Sequence, residues 1–111
     1  MKELIKDVDM VIINELKRAI SEHAPMNSQH EGFAVILEEV DEANEEIENI
    51  DTALKMLWER VKRNDNAEDE AKMLLNYSRL AAAEIIQVAT MAQRFILDLK
   101  SKDSRMVTKG E

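Results

Sequence analysis

An all-α fold is what this sequence predicts: a long antiparallel helical hairpin plus an N-terminal helix, forming an oligomeric helical bundle. Composition is the first reason. Two Gly, one Pro and four aromatic residues among 111 leave little material for a β-sandwich, whereas Leu, Ile, Ala, Met, Glu and Lys dominate, all good helix formers apart from Ile. Periodicity is the second reason, because apolar residues recur at steps of three and four along most of the chain. The third is punctuation: polar breaks fall around Pro25 and around Asn64.

The first helix is expected from about Lys2 to Ser21, where Leu4, Ile5, Val8, Val11, Ile12, Leu16, Ala19 and Ile20 make an amphipathic stripe ending before Pro25. Ser28 followed by Glu31 has the spacing of a capping box and starts the second helix. Its seam, Ile36, Val40, Ala43, Ile47, Ile50, Leu54, Leu57 and Val61, continues to about Lys62 and includes Trp58 as a core residue. Residues 63–66 break the pattern, and Asp65 with Glu68 offers the cap of a third helix reaching about Lys100. That helix has a seam of Leu74, Ser78, Ala81, Ile85, Val88, Ala92, Phe95 and Leu99. A second stripe of Leu75, Ala82, Ile86, Ala89 and Ile96 runs beside it, too much hydrocarbon for one neighbour to cover. A homodimer or homotetramer is therefore expected. Residues 1–100 read as one all-α domain and 101–111, polar and aperiodic, as a mobile C-terminal tail.

Charge and composition exclude several classes. The formal net charge of −8 opposes nucleic-acid backbones and anionic lipid surfaces, so neither nucleic acid nor membrane is an expected partner. No apolar run approaches the roughly 18 residues of a spanning helix. Without cysteine there is no disulfide frame and no thiolate zinc site, and the first ten residues lack the layout of a signal peptide, so a cytoplasmic location is expected. His23 and His30 lack zinc-ligand spacing, and no Ser-His-Asp or Cys-His arrangement can be assembled.

The candidate chemistry lies in the acids. Eight acidic residues and no Lys or Arg fall between Glu38 and Asp51, a self-repelling helix face that something positive would offset. At about 100° per residue, Glu39 lies roughly 70° and Glu42 roughly 130° from the seam centre on one flank, with Glu46 a turn below. Glu84 is the one acid between Glu70 and Asp98 and lies roughly 70° off its own seam, with Gln87 near 130°. Same-handed flanks of two facing helices fall on one side only when the helices are antiparallel, which the short connector requires. Counted from the turn, the two pairs lie within about three residues of the same height. Glu39, Glu42, Glu84 and Gln87 are thus expected to converge, offering the hard oxygen donors that Mg²⁺ or Mn²⁺ takes. A solvated acidic face is the plainer alternative for the run alone. Tyr77, two turns before Glu84 on the same flank, is a candidate wall of a base pocket, with an ordinary boundary tyrosine as the plainer reading.

These residues carry a resemblance. His30-Glu31-Gly32-Phe33-Ala34-Val35-Ile36-Leu37-Glu38-Glu39-Val40-Asp41-Glu42, followed by Ala83-Glu84-Ile85-Ile86-Gln87-Val88-Ala89, resembles the MazG-like all-α NTP pyrophosphatases, with small phage and prophage members closest in style. The family motif is E-E-x-x-E on one helix and E-x-x-D on a later one, and the likeness covers about residues 28–99. Glu38, Glu39 and Glu42 match the first motif, Glu84 opens the second, and Gln87 stands where the family has Asp. The resemblance implies hydrolysis of a nucleoside triphosphate to monophosphate and pyrophosphate, with Mg²⁺ held by Glu39, Glu42 and Glu84, and with Glu38 or Glu46 orienting the attacking water. Gln87 keeps a carbonyl oxygen for a metal but removes a charge and a proton acceptor. Two alternatives remain at this point: a catalytically degenerate nucleotide-binding member, and an acidic helical module that docks a basic protein.

Overall fold

The computed structural model describes the backbone from Met1 to Gly110 and side chains through Ser101. It contains α1 (Lys2–Glu22), α2 (Gln29–Lys62) and α3 (Glu68–Gly110), and no strand among the described residues. The expectation of a mobile tail over 101–111 concerns side chains that, apart from Ser101, lie outside the described residues; the backbone of α3 itself passes Lys100 and continues to Gly110.

Local chemistry sets the boundaries. α1 stops at His23, whose extended backbone (φ −130°, ψ 143°) leaves the helical region two residues before Pro25. Ser28 Oγ accepts the Glu31 N–H at 3.1 Å, one half of the expected capping box. The Glu31 carboxylate accepts from Asn27 Nδ2 at 3.2 Å. α2 ends in a Schellman turn: Asn64 takes the left-handed conformation (φ 57°), its N–H donates to the Val61 carbonyl, and the Asp65 N–H donates to the Arg60 carbonyl. The cap of α3 is Asn66 rather than Asp65: Asn66 Oδ1 accepts the Glu68 N–H at 2.8 Å, while the Asp65 carboxylate faces Arg60 at 3.9 Å.

Two compact units share these helices, residues 1–39 with 86–111 and residues 40–85. In the first, Gln87 bonds Glu15, Arg94 bonds the His23 carbonyl, and Asp98 accepts the Met26 N–H; the partners are separated by 72, 71 and 72 residues. A constant difference means that α1 and its continuation to Met26 run parallel to α3. Gly32 lies against α3, where a Cβ would strike the Phe95 ring and come to 2.9 Å from the Met26 sulfur, so glycine at this helix position permits a close approach.

The second unit is the hairpin. Glu42 hydrogen-bonds Glu84 and, nearer the turn, Arg60 lies 3.4 Å from Glu70, so pairing moves down one arm as it moves up the other and the arms are antiparallel. Its buried apolar positions are all alanine: Ala43, Ala53 and Ala81. The seam is rotated from the expected one. On α2 the covered face passes through Ala43, Glu46, Ile50, Ala53 and Leu57, and on α3 through Glu70, Leu74, Tyr77, Ala81 and Glu84. Ile47, Leu54, Val61 and Ile85, expected inside, are exposed, and Trp58 is 57% exposed with Lys62 Nζ 5.9 Å from its ring centre. Small side chains let the two backbones close through the alanines, which turns each helix by about one position toward its acidic flank.

Between Glu68 and Ser101, α3 contains an 18-residue window of mean hydropathy 1.3, long and apolar enough to cross a membrane by length and composition. The expectation that no run approaches that length therefore fails for this helix. Every such window contains Glu84, and three polar residues of this stretch have protein partners: Glu84 with Glu42, Gln87 with Glu15, Arg94 with Asp98. These are the marks of a helix packed against other helices.

Candidate metal centre

Glu39 and Glu42 are one turn apart on α2, and Glu84 faces Glu42 from the other arm of the hairpin. Each offers a carboxylate oxygen, and these atoms lie within 4.8 Å of one another. Glu39 and Glu84 are half-buried and Glu42 is exposed. The rotated seam explains the approach, since it puts Glu84 at the contact edge where Ile85 was expected.

Like charges this close disturb one another. The pKa of Glu42 is raised above the ordinary carboxylate value, first by its side-chain hydrogen bond with Glu84, then by desolvation, then by repulsion from the Glu84 charge. A hydrogen bond between two carboxyl groups needs a proton, so Glu42 holds its proton more readily than a lone glutamate would. Among the described residues neither Glu42 nor Glu84 has an ion-pair partner, whereas the acids near the turn do: Glu59 with Lys62 at 2.8 Å and Glu70 with Arg60 at 3.4 Å.

The other candidates are placed as follows. Glu38 is exposed. Glu46 is half-buried and accepts from Asn49 Nδ2 at 3.5 Å. Tyr77 is half-buried on the covered face of α3. Gln87 is not drawn toward Glu84: its Nε2 donates to Glu15 Oε2 of α1 at 2.8 Å, and Glu15 also holds Arg18 at 3.0 Å. An ionised carboxylate only accepts, so this contact fixes the amide with its nitrogen toward α1. An aspartate here would instead set two negative charges face to face, which gives glutamine a local reason.

Helical phase did not reveal a polar network in the first unit. Arg94 is 5% exposed; its Nε lies 3.4 Å from both Asp98 oxygens and its Nη2 donates to the His23 carbonyl at 3.2 Å. Asp98 Oδ2 in turn accepts the Met26 N–H at 2.9 Å. A signal was available: Arg94 is the one basic residue between Arg79 and Lys100, as isolated among apolar neighbours as Glu84 is among the acids. Beside this network is a cavity of about 320 Å³, lined by Ala19, His23, Met26, Val35, Glu39 and Arg94 among others.

Fold and cluster together define an all-α protein that gathers three carboxylates from the two arms of a hairpin. No family model, curated protein or solved structure matches this chain.

Proposed function

We propose that this chain is a Mg²⁺-dependent nucleoside triphosphate pyrophosphohydrolase of the MazG-like all-α type, acting in the cytoplasm as a homodimer or homotetramer and accepting Mn²⁺ in place of Mg²⁺. The supporting observation is the cluster of Glu39, Glu42 and Glu84 oxygens within 4.8 Å of one another. The donor set fits a hard divalent cation, being all carboxylate and including Glu42, whose pKa is raised by its neighbour Glu84. Those three residues would hold the ion, which supplies neutralisation of phosphate charge when bound. A carboxylate oxygen of Glu38 or Glu46 takes the proton from a water as the water oxygen bonds the α-phosphorus. The bond from that phosphorus to the α,β-bridging oxygen breaks, and monophosphate and pyrophosphate leave. A second copy has hydrocarbon to cover: Ile47, Leu54, Leu75 and Ile85 of the hairpin are 45–63% exposed.

One observation favours a second reading, a member that binds nucleotides without turning them over. Gln87 replaces the family's aspartate and its amide is committed to Glu15.

The test is a turnover assay on ribo- and deoxyribonucleoside triphosphates with Mg²⁺ or Mn²⁺, resolving pyrophosphate from phosphate release. Pyrophosphate is expected from the native chain, with a loss of about 100-fold or more in Glu42→Gln and in Glu84→Gln. Metal-dependent nucleotide binding without turnover would select the second reading. Absence of both turnover and binding would reject the nucleotide function.

A further inference from the structure

We infer that a second copy of this chain covers one defined side of the hairpin, the side bearing Ile47, Leu54, Trp58 and Val61, with both turns at the same end and α2 of each copy set against α3 of the other. The inference rests on the second copy in the proposed function and adds where it sits; it requires nothing of the nucleotide chemistry.

The two sides of the hairpin differ in kind. From the centre of the covered face, Val61, Leu54, Ile47 and Trp58 lie about 40–100° round α2, and Ile85, Ser78, Ala71, Ala82 and Leu75 about 60–140° round α3 in the same sense. Because the arms are antiparallel, equal senses put both sets on one side. All of them are exposed, the large apolar ones by 45–63%. The opposite side carries Glu42, Asn49 and Arg60 on α2 and Asp69 and Asn76 on α3, with Met56 and Leu80 among them. The apolar side runs about 21 Å from Ile47 to Val61 and is two helices, about 20 Å, wide. That is roughly 400 Å² in flat projection, in the range that marks an interaction surface. Two such sides present roughly 800 Å² before side-chain relief is counted, against about 1,000 Å² for a specific interface.

Level and size identify the occupant. The contacts of Glu42 with Glu84 and of Arg60 with Glu70 fix the register of the arms. At that register Ile47 is level with Ala82, Asp51 with Ser78, Leu54 with Leu75 and Trp58 with Ala71. A two-fold axis along the hairpin preserves every level and brings each of these residues against its opposite number in the other copy. Large then meets small toward both ends, Ile47 on the partner's Ala82 and Trp58 on the partner's Ala71, with Leu54 on the partner's Leu75 between them. Close-packed faces interdigitate in this way. Asp51 meets a hydroxyl, that of the partner's Ser78, while keeping Lys55 at 2.9 Å. A two-fold axis across the hairpin instead sets large on large and small on small, and Asp51 against the partner's Trp58. A side whose large and small positions answer each other under its own symmetry is fitted to its own copy.

The experiment follows the native chain over a dilution series by sedimentation equilibrium and by the emission of Trp58, its one tryptophan. The expected result is an oligomer whose emission shifts to the red as it dissociates. Leu54→Arg is expected to raise the dissociation constant about 30-fold or more at unchanged helicity, whereas Met56→Arg, on the opposite side and 42% exposed, leaves it unchanged. The chain has no cysteine, so Asp51→Cys and Ser78→Cys on separate chains, mixed and oxidised, read the orientation and are expected to give cross-linked pairs. A monomer at every concentration overturns the inference and the second copy together, while turnover, measured separately, still decides the catalytic reading. An oligomer unaffected by Leu54→Arg, or dissociated by Met56→Arg, overturns the choice of side and leaves the second copy standing. Cross-linking of Asp51→Cys with Trp58→Cys in place of Ser78→Cys overturns the orientation.

Discussion

The two units handle isolated charges in opposite ways. In the first, Arg94 is buried and answered at every turn: a carboxylate on the next turn of its own helix, a carbonyl from the end of α1, and that carboxylate tied to a further backbone N–H. In the second, Glu84 is answered by another acid. A polar group that is paired with its opposite holds structure together, whereas one set against its like costs stability. The Arg94 network therefore reads as scaffold, and the Glu42–Glu84 pair as a contact between like groups that raises the Glu42 pKa.

The largest effect expected from this contrast is at Arg94. Arg94→Met strands the Asp98 charge in a half-buried site and should cost about 3–5 kcal/mol in urea unfolding. Replacing both partners, Arg94→Met with Asp98→Leu, should recover part of that loss but not all. The Met26 N–H then has no acceptor, a residual cost of about 1–3 kcal/mol. Full recovery would show that the network contributes nothing as a unit.

Gly32→Ala comes next. The added methyl must displace the Phe95 ring or the Met26 sulfur, an overpacking cost of about 1–3 kcal/mol that outweighs the roughly 0.5–1 kcal/mol of helix propensity gained. A thermal melt that rises instead would mean that α2 and α3 separate at this point without penalty.

The smallest effect is at Glu42, and its sign is opposite. A carboxyl whose pKa is raised on folding binds its proton more tightly in the folded chain, so its contribution is fully present below the ordinary carboxylate value. That contribution is lost as pH rises through the raised value. With EDTA present, Glu42→Gln should therefore melt slightly above the native protein at neutral pH, with the gap closing as the solution is made acidic. A variant that melts lower at neutral pH would show that the pair is not in conflict.

Much of this was legible in the sequence, for physical reasons that also mark where legibility stopped. Helix existence follows from periodicity and composition, and the Ser28 cap from a three-residue spacing. That Glu39, Glu42 and Glu84 meet follows from helical phase and the short turn, because the partner in a hairpin is known once the turn is known. Burial was less legible. The expected seam assumed that the largest apolar side chains define the contact, whereas Ala43, Ala53 and Ala81 do, and Ile47, Leu54, Ile85 and Trp58 face outward as a result. What involved α1 was invisible to phase arithmetic on the hairpin: the Glu15 carboxylate that takes Gln87, and the His23 carbonyl that takes Arg94, come from residues about seventy positions away. The Asn66 cap was missed by one residue, which is the usual error where several capping side chains follow one another.

The constant separation between α1 and its contacts on α3 has a consequence for how the chain is made. The hairpin closes over a handful of residues, but Glu15 cannot meet Gln87, nor Met26 meet Asp98, until some seventy further residues exist. At roughly 5–20 residues per second of synthesis, α1 waits several seconds before Gln87 and Asp98 exist for Glu15 and Met26 to meet. Acidic and basic side chains are interspersed along Lys2–Glu22, which favours keeping such a segment in solution during that interval. A chain cut before Gln87 would carry the whole turn of the hairpin and none of the anchors that secure its first helix.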